Sequence, residues 1–509
     1  MKITHSVKYA FRIATYCFFS AVIFAACKKS TDVVIPAFRP DVTFYGLSNN
    51  NTILKYNART AETPSATVTL VGLPVGEKII SIDFRPATGQ LYGLGSTSRI
   101  YVINYDNGNT FPIGTTAFTP TLSGAVNSID FNPTVDRIRL VGNSGQNLRL
   151  NPETGAVAAT DGSINGGSSP TIVGAAYTNN KAGASTTTLY DIDANTKKLY
   201  KQDPPNNGTL TEVGNLNVNF TGQAGFDING DNSVALATLT VDMKSKLYTI
   251  DINTGAATYL ADFSTNLIDI AIPTDAVAYA VDESNNLLIF DPTKPATTVS
   301  KAITGLNVGE NVVGIDFRPA NGQLFALGRT SLGTARLLTI NASSGAAAAV
   351  GTGFTLNISS TNFGFDFNPT VDRIRVVTNS GQNLRLNPND GTIAATDANL
   401  NPGTPMISSA AYTNNFAGTT STVLFVTDGG KLYRQDPPNN GTLVEIGSLG
   451  ITVDANNGFD IGGRSNTAYA IMSVGSTSKI YTINTATGVA TAAGDFAVKV
   501  RGMALGLGF

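Results

Sequence analysis

Short runs in which apolar and polar residues alternate, each closed by a turn former, recur along this chain from residue 42 to its end. The most regular are apolar segments centred on Asp83, Asp130, Ala176, Asp227, Asp269, Asp316, Asp366, Ala411, Asp460 and Ala504, roughly one every 47 residues. Most are followed by a second run (90–94, 323–327), a third that alternates apolar and polar residues (99–104, 246–251, 479–484) and a fourth rich in Thr, Val and Ala (256–260). Asn-Thr-Gly, Ala-Thr-Gly, Asn-Asp-Gly and Pro-Pro-Asn-Asn-Gly stand between the runs and supply a positive or a fixed φ. A period of two broken by such turns predicts strands, and each unit reads as a four-stranded antiparallel meander.

One meander of this size buries too little apolar area to stand alone, whereas meanders arrayed around an axis cover one another's faces. The expected fold is therefore all-β: a β-propeller of ten four-stranded blades in two five-blade repeats, arranged as two five-bladed rings or as one ten-bladed ring. The first unit opens at 42–47, which matches 276–281 and lacks a strand before it. The chain closes with 502–507, which aligns with 267–272 and lacks three strands after it. These fragments predict a ring closed by pairing the C-terminal strand with the N-terminal blade. Only Pro273-Thr274-Asp275 follows 267–272 before the next strand. A link that short suits a hairpin within a blade.

The two repeats are near copies. Ile82-Asp83-Phe84-Arg85-Pro86 returns as Ile315-Asp316-Phe317-Arg318-Pro319, and Gln202–Leu210 returns letter for letter as Gln435–Leu443. The domains expected are 1–26, a signal peptide; 27–39, a lipidated N-terminus and tether; 40–273, the first propeller repeat; and 274–509, the second.

Lys2, Lys8 and Arg12 precede an apolar run at 13–26, too short to cross a bilayer and laid out like a secretory leader. Ala25-Ala26-Cys27 resembles the lipobox of bacterial lipoproteins, which implies lipid attachment at Cys27. The polar stretch 28–39 reads as a solvated tether. Export with a lipid anchor places the protein in the bacterial cell envelope, as an outer-membrane lipoprotein held to the membrane through its N-terminal lipid.

Processing changes the available chemistry. Without residues 1–26 the chain keeps 31 basic and 36 acidic residues, a formal charge of −5, which does not suggest nucleic acid. His5, the only histidine, and Cys17 leave with the leader, and lipid blocks Cys27. A Ser-His-Asp triad, a cysteine nucleophile, disulfides and the usual zinc, haem or iron–sulfur ligands are then excluded, and no cofactor is expected. Charged residues make up 14% of the chain and glycine numbers 51, as suits strands joined by tight turns.

Carboxylates remain. Asp83, Asp130, Asp227, Asp269, Asp316, Asp366 and Asp460 sit on the innermost strands, but they recur with the blades, and the expectation is that each bonds the turn after its strand. Asp227-Ile228-Asn229-Gly230-Asp231 and the set Asp191, Asp193 and Asn195 have the oxygen spacing of the start of a calcium loop. Neither has a closing glutamate, so both read as turns and no metal site is expected.

The third blade of each copy is the most distinctive. Period two puts Arg137 and Arg139 on one strand face, with Asn147 and Arg149 beside them on the next strand; Arg373, Arg375, Asn383 and Arg385 repeat the set. Guanidinium forks beside amides suit a carboxylate, phosphate or acidic sugar, and these eight are the candidate ligand-binding residues. The same groups also suit inter-blade ion pairs with Asp130, Asp136 and nearby carboxylates. The segment Gln202–Leu210 reads as a rim turn.

DFNP-x-x-DRIR (130–139, 366–375), NSGQNLRLNP (143–152, 379–388) and AAYTNN (175–180, 410–415) together resemble the bacterial family called domain of unknown function 4394, over residues 40–509. That resemblance implies a secreted or envelope-attached module and implies no activity. The reading is a non-enzymatic, envelope-anchored propeller that binds a protein or glycan through its loops. The alternatives are a polysaccharide hydrolase or lyase working through carboxylates or a cation, and a passive spacer or adhesin. Trp is absent, which removes the best sugar-stacking side chain, although 17 Tyr remain.

Overall fold

The computed structural model describes residues 38–454 and 457–509, so the leader and Cys27 lie outside the described residues. Among the described residues the strands form ten antiparallel four-stranded sheets, the all-β architecture that the alternating pattern predicts. Alternation does the building. In the strand Arg99–Ile103, Ile100 and Val102 pack on one neighbouring blade with Phe131 and Leu140, while Tyr101 and Ile103 pack on the other with Tyr45 and Leu47. Every blade thus has two apolar faces, and neither works without a neighbour.

The innermost strands close into two separate rings. In the first, Ile79–Phe84, Asn127–Asn132, Ile172–Tyr177, Thr221–Ile228 and Leu267–Ala271 neighbour one another in that order, and the last returns to the first. In the second, Glu310–Arg318, Phe363–Asn368, Ile407–Tyr412, Asn457–Ile461 and Val500–Leu505 do the same. Of the two arrangements open from the sequence, the structure has two five-bladed propellers.

Each propeller closes itself. Leu267–Ala271 pairs with Thr43–Ser48, Tyr45 lying opposite Ala271, and completes the N-terminal blade. Val500–Leu505 pairs with Ala278–Asp282, Tyr279 lying opposite Ala504. The expected pairing of the C-terminal strand with the N-terminal blade is therefore corrected: the missing strand of each repeat comes from that repeat's own end. The short link is not a hairpin either. It leads from the end of an inner strand in one propeller to the start of a second strand in the other, and a few residues suffice because those two faces meet.

At that junction the Tyr279 hydroxyl donates to the Ala87 carbonyl at 3.0 Å, and Arg85 Nη1 donates to the Gly322 carbonyl at 2.9 Å. The Gly508 amide donates to the Thr88 carbonyl at 2.8 Å. A Cβ on Gly508 would stand 2.0 Å from the Gly89 oxygen, so only glycine permits this approach. Ala87, Val277, Tyr279 and Leu507 share one buried cluster, and Arg464 clasps the Asp106 carboxylate at the edge of the contact.

Candidate ligand-binding site at the mouth of the second channel

Each channel carries a layer of aspartates that ties neighbouring blades together. At this level stand Asp83, Asp130, Ala176, Asp227 and Ala271 in the first propeller, and Asp316, Asp366, Ala411, Asp460 and Ala504 in the second. Asp83 accepts from the Phe131 amide at 2.6 Å, Asp130 from Tyr177 at 3.0 Å and Asp227 from Ile272 at 2.5 Å. Asp316, Asp366 and Asp460 accept from Phe367, Tyr412 and Leu505 in the same way. The partner is thus the next blade's inner strand, which corrects the expectation of a bond to the following turn. Asp269 sits one level away and accepts from the Ser81 hydroxyl and the Ile82 amide. Its counterpart is Gly502, so the alignment of the chain end read from the sequence shifts by two residues.

In each propeller the three aspartates bring carboxylate oxygens within 4.8 Å of one another, fully buried. Burial, aided by mutual repulsion, raises their pKa values: Asp227 to about 8, Asp460 to about 7, and Asp83, Asp130, Asp316 and Asp366 well above the usual range. Backbone N–H groups occupy both oxygens of Asp83, Asp227, Asp316 and Asp460. These bonds make each trio a staple between neighbouring inner strands.

The arginine sets are clamps between the second and third inner-strand blades of each propeller. Arg139 is buried: Nε donates to the Tyr177 hydroxyl, Nη1 to Asn147 and Asp161, and Nη2 to Asn206. Arg149 completes the pair to Asp161 in bidentate fashion, and Arg137 turns back to the Asp136 carbonyl. Arg375, Asn383, Arg385 and Arg373 repeat this with Tyr412, Asp397, Asn439 and Asp372. The carboxylate is Asp161 or Asp397, not Asp130 or Asp136; Asp136 instead receives Arg85 from the preceding blade. The letter-for-letter repeat of Gln202–Leu210 follows from this clamp. Asn206 accepts from Arg139, and the Pro205 carbonyl accepts from both Asn147 and Gln202. A turn that must meet these three donors keeps its shape in both copies.

A site that the motifs did not reveal lies at the other end of the second channel. A cup of about 380 Å³ is lined by residues from all five inner strands: Asn311 and Val313, Asn362 and Phe363, Ser408, Asn457, and Arg501, with Arg329 on an adjoining second strand. Its floor is a layer of small residues, Gly314, Gly364, Ser409, Gly458 and Gly502. The strands approach so closely there that a Cβ on Gly502 would come within 3.0 Å of the Gly314 Cα. Along each strand this layer lies between the cup-lining residue and the aspartate level.

The cup's two cations differ in their compensation. The Arg329 guanidinium stacks over Phe363 at 5.4 Å and donates Nη2 to the Ile358 carbonyl, while its buried Nε has no partner among the described residues. Burial lowers its pKa, and no carboxylate acts against that. Arg501 donates to the side-chain oxygens of Asn285 and Asn311 and to the Glu283 carbonyl; burial lowers it as well, opposed by Glu283 and Asp282. Asn457 donates to the Ser408 hydroxyl at 2.8 Å, and its own oxygen is buried with no partner among the described residues. The signal was available in the sequence: Arg501, Ser408, Asn457 and Arg329 occupy the places of Ile268, Val173, Ala224 and Ser96 in the first copy.

Residues 52–271 and 286–504 match the family described as Domain of unknown function (DUF4394). No curated protein matches the chain. Among solved structures, PorZ, an essential surface component of the type-IX secretion system of Porphyromonas gingivalis, is similar at 15% identity and a TM-score of 0.26, with 87% of this chain and 63% of PorZ covered. The chain thus spans less than two thirds of PorZ. The extracellular domain of BT4673 from B. thetaiotaomicron is similar at 13% identity and a TM-score of 0.25, with 89% of this chain and 70% of that one covered. At these TM-scores neither likeness bears on the site.

Proposed function

The chain belongs to the DUF4394 family, in two tandem copies, and from that premise we propose that it is an envelope-anchored, non-enzymatic binding protein whose ligand enters the mouth of the second channel. One observation carries this reading: Val126, Val173, Ala224 and Ile268, which pack against apolar core in the first propeller, are replaced by Asn362, Ser408, Asn457 and Arg501 around a cup in the second. Desolvated donors and acceptors without partners cost stability, and a ligand that pairs them recovers it. Among the described residues that line the cup, no base faces a nucleophile. The buried aspartates below the floor are engaged by backbone amides, which supports binding over hydrolysis. A volume of about 380 Å³ suits a small molecule or the end of a chain.

Lys2, Lys8 and Arg12, the apolar run and Ala25-Ala26-Cys27 support export and attachment through Cys27. Among the described residues no helix is long and apolar enough to cross a membrane. Mass spectrometry of protein purified from its native envelope is expected to show a lipid-modified N-terminus at Cys27; an unmodified Cys27 refutes the anchor. Thermal-shift screening of residues 38–509 against small molecules and glycan fragments is expected to find stabilisers that are recovered unchanged. A stabiliser that is chemically turned over refutes the non-enzymatic reading.

A further inference from the structure

We propose that the cup at the mouth of the second channel binds a carboxylated sugar residue, its carboxylate held between Arg329 and Arg501 and its hydroxyls paired by the surrounding amides and hydroxyls. This rests on the reading of the cup as the ligand site and adds the chemistry of the ligand.

Three features point to that class. The cup brings two guanidinium groups to one opening without placing a carboxylate in its lining. A planar fork with donors to spare matches a carboxylate. Arg329 is held flat by Phe363 and still has its Nε unpaired, so the fork is pre-organised for an acceptor. The rest of the polar lining is neutral. Asn311, Asn362, Ser408 and Asn457 offer amides and a hydroxyl, groups that pair with sugar hydroxyls, and the orphan oxygen of Asn457 specifically needs a donor. Inorganic phosphate satisfies the cations, but its one or two protons near neutrality serve Asn457 and little else of the amide lining. A neutral sugar satisfies the amides and leaves Arg329 uncompensated. A carboxylated sugar does both within a volume of about 380 Å³. Along every strand the layer of small residues stands between the cup lining and the aspartate trio.

The test is calorimetric titration of residues 38–509 at pH 6.5 and low salt with galacturonate, glucuronate and N-acetylneuraminate. Galactose, glucose and inorganic phosphate serve as comparison ligands. At least one acid is expected to bind 10-fold or more tightly than its neutral counterpart and than phosphate. Arg329→Gln and Arg501→Gln should each weaken it about 10-fold, with Arg329→Lys recovering part of the loss. Asn311→Asp, at an exposed position, places a carboxylate beside Arg501 and should weaken the acid while leaving folding unchanged. Phosphate binding as tightly as the acids, or no acid binding at all, overturns the proposal. Should a neutral sugar bind equally well and Ser408→Phe abolish it, the cup is a ligand site and only the ligand class is wrong. If no probe binds and Ser408→Phe leaves every thermal-shift stabiliser unaffected, the cup itself is refuted as the binding site.

Discussion

The two channel mouths are built on the same strands at the same register, yet one is core and the other is a cup. In the first propeller Val126, Val173, Ala224 and Ile268 pack into the apolar clusters between blades, and Gln223 reaches across to donate to the Ile80 carbonyl at 2.8 Å. In the second, Asn362, Ser408, Asn457 and Arg501 occupy those places around an opening. The aspartate staples, the arginine clamps and the closing strands beneath are shared. A duplicated scaffold tolerates this divergence because its stability resides in the layers below. The mouths are then free to differ, and the proposed ligand site lies where they do.

The strongest way to break the comparison is at the closing strand. Ending the chain at Phe496 removes Val500–Leu505 and should open only the second propeller. Hydrogen exchange is expected to show loss of amide protection across 278–496, with the inner strands of the first propeller still protected. Early exchange of Thr43–Ser48 instead would mean that the chain end closes the N-terminal blade after all.

Next come the shared staples. Asp83→Ala and Asp316→Ala each leave two buried backbone amides without an acceptor, and each should cost about 2–4 kcal/mol in denaturant unfolding. Equal losses mark a common framework; a loss in only one propeller means that the layers are not equivalent.

A smaller effect, of the opposite sign, is expected at Asp191. Its carboxyl is buried with no hydrogen-bond partner among the described residues, and burial raises its pKa to about 8 from an ordinary 3.8. The second copy has Val426 there. An unfolded Asp191 loses its proton near pH 4 while the folded one keeps it to about pH 8, so the stability it contributes is full at low pH and is lost as pH rises across that window. Asp191→Val should therefore stabilise by about 1–3 kcal/mol at pH 8 and by less at pH 5. A pH-independent gain would mean that the carboxyl is paired. The aspartate layers shift in the same direction, so the wild-type melting temperature should also fall between about pH 4 and pH 8.

The smallest change in stability tests the mouths themselves. Arg329→Ser with Arg501→Ile installs the first propeller's residues in the second, and should leave stability within about 1 kcal/mol of wild type or raise it. Thermal shifts from the ligands of the cup should disappear. A large destabilisation instead would make both arginines structural.

Much of this was legible in the residues. Strand alternation, turn chemistry and the duplication define ten four-stranded blades. Burial of both faces of each blade then demands a closed array. The clamp residues Arg139, Asn147 and Arg149 were visible as a cluster, but their carboxylate, Asp161, was not, because it follows the outer strand and reaches them only when the sheet is folded. The cup is illegible for a different reason: repetition marks what the copies share, and the cup is where they differ.

By itself the sequence determined the strands, their grouping into blades, the number of blades and the absence of imidazole and thiol beyond residue 27, since periodicity and composition are local properties of the chain. Only the tertiary structure decided which end closes which ring, that the two rings meet face to face across a six-residue link, and that Arg329, Asn457 and Arg501 share one opening. Those outcomes depend on pairings between residues up to about 230 positions apart, and the contacts that select among such pairings exist only once neighbouring blades have packed.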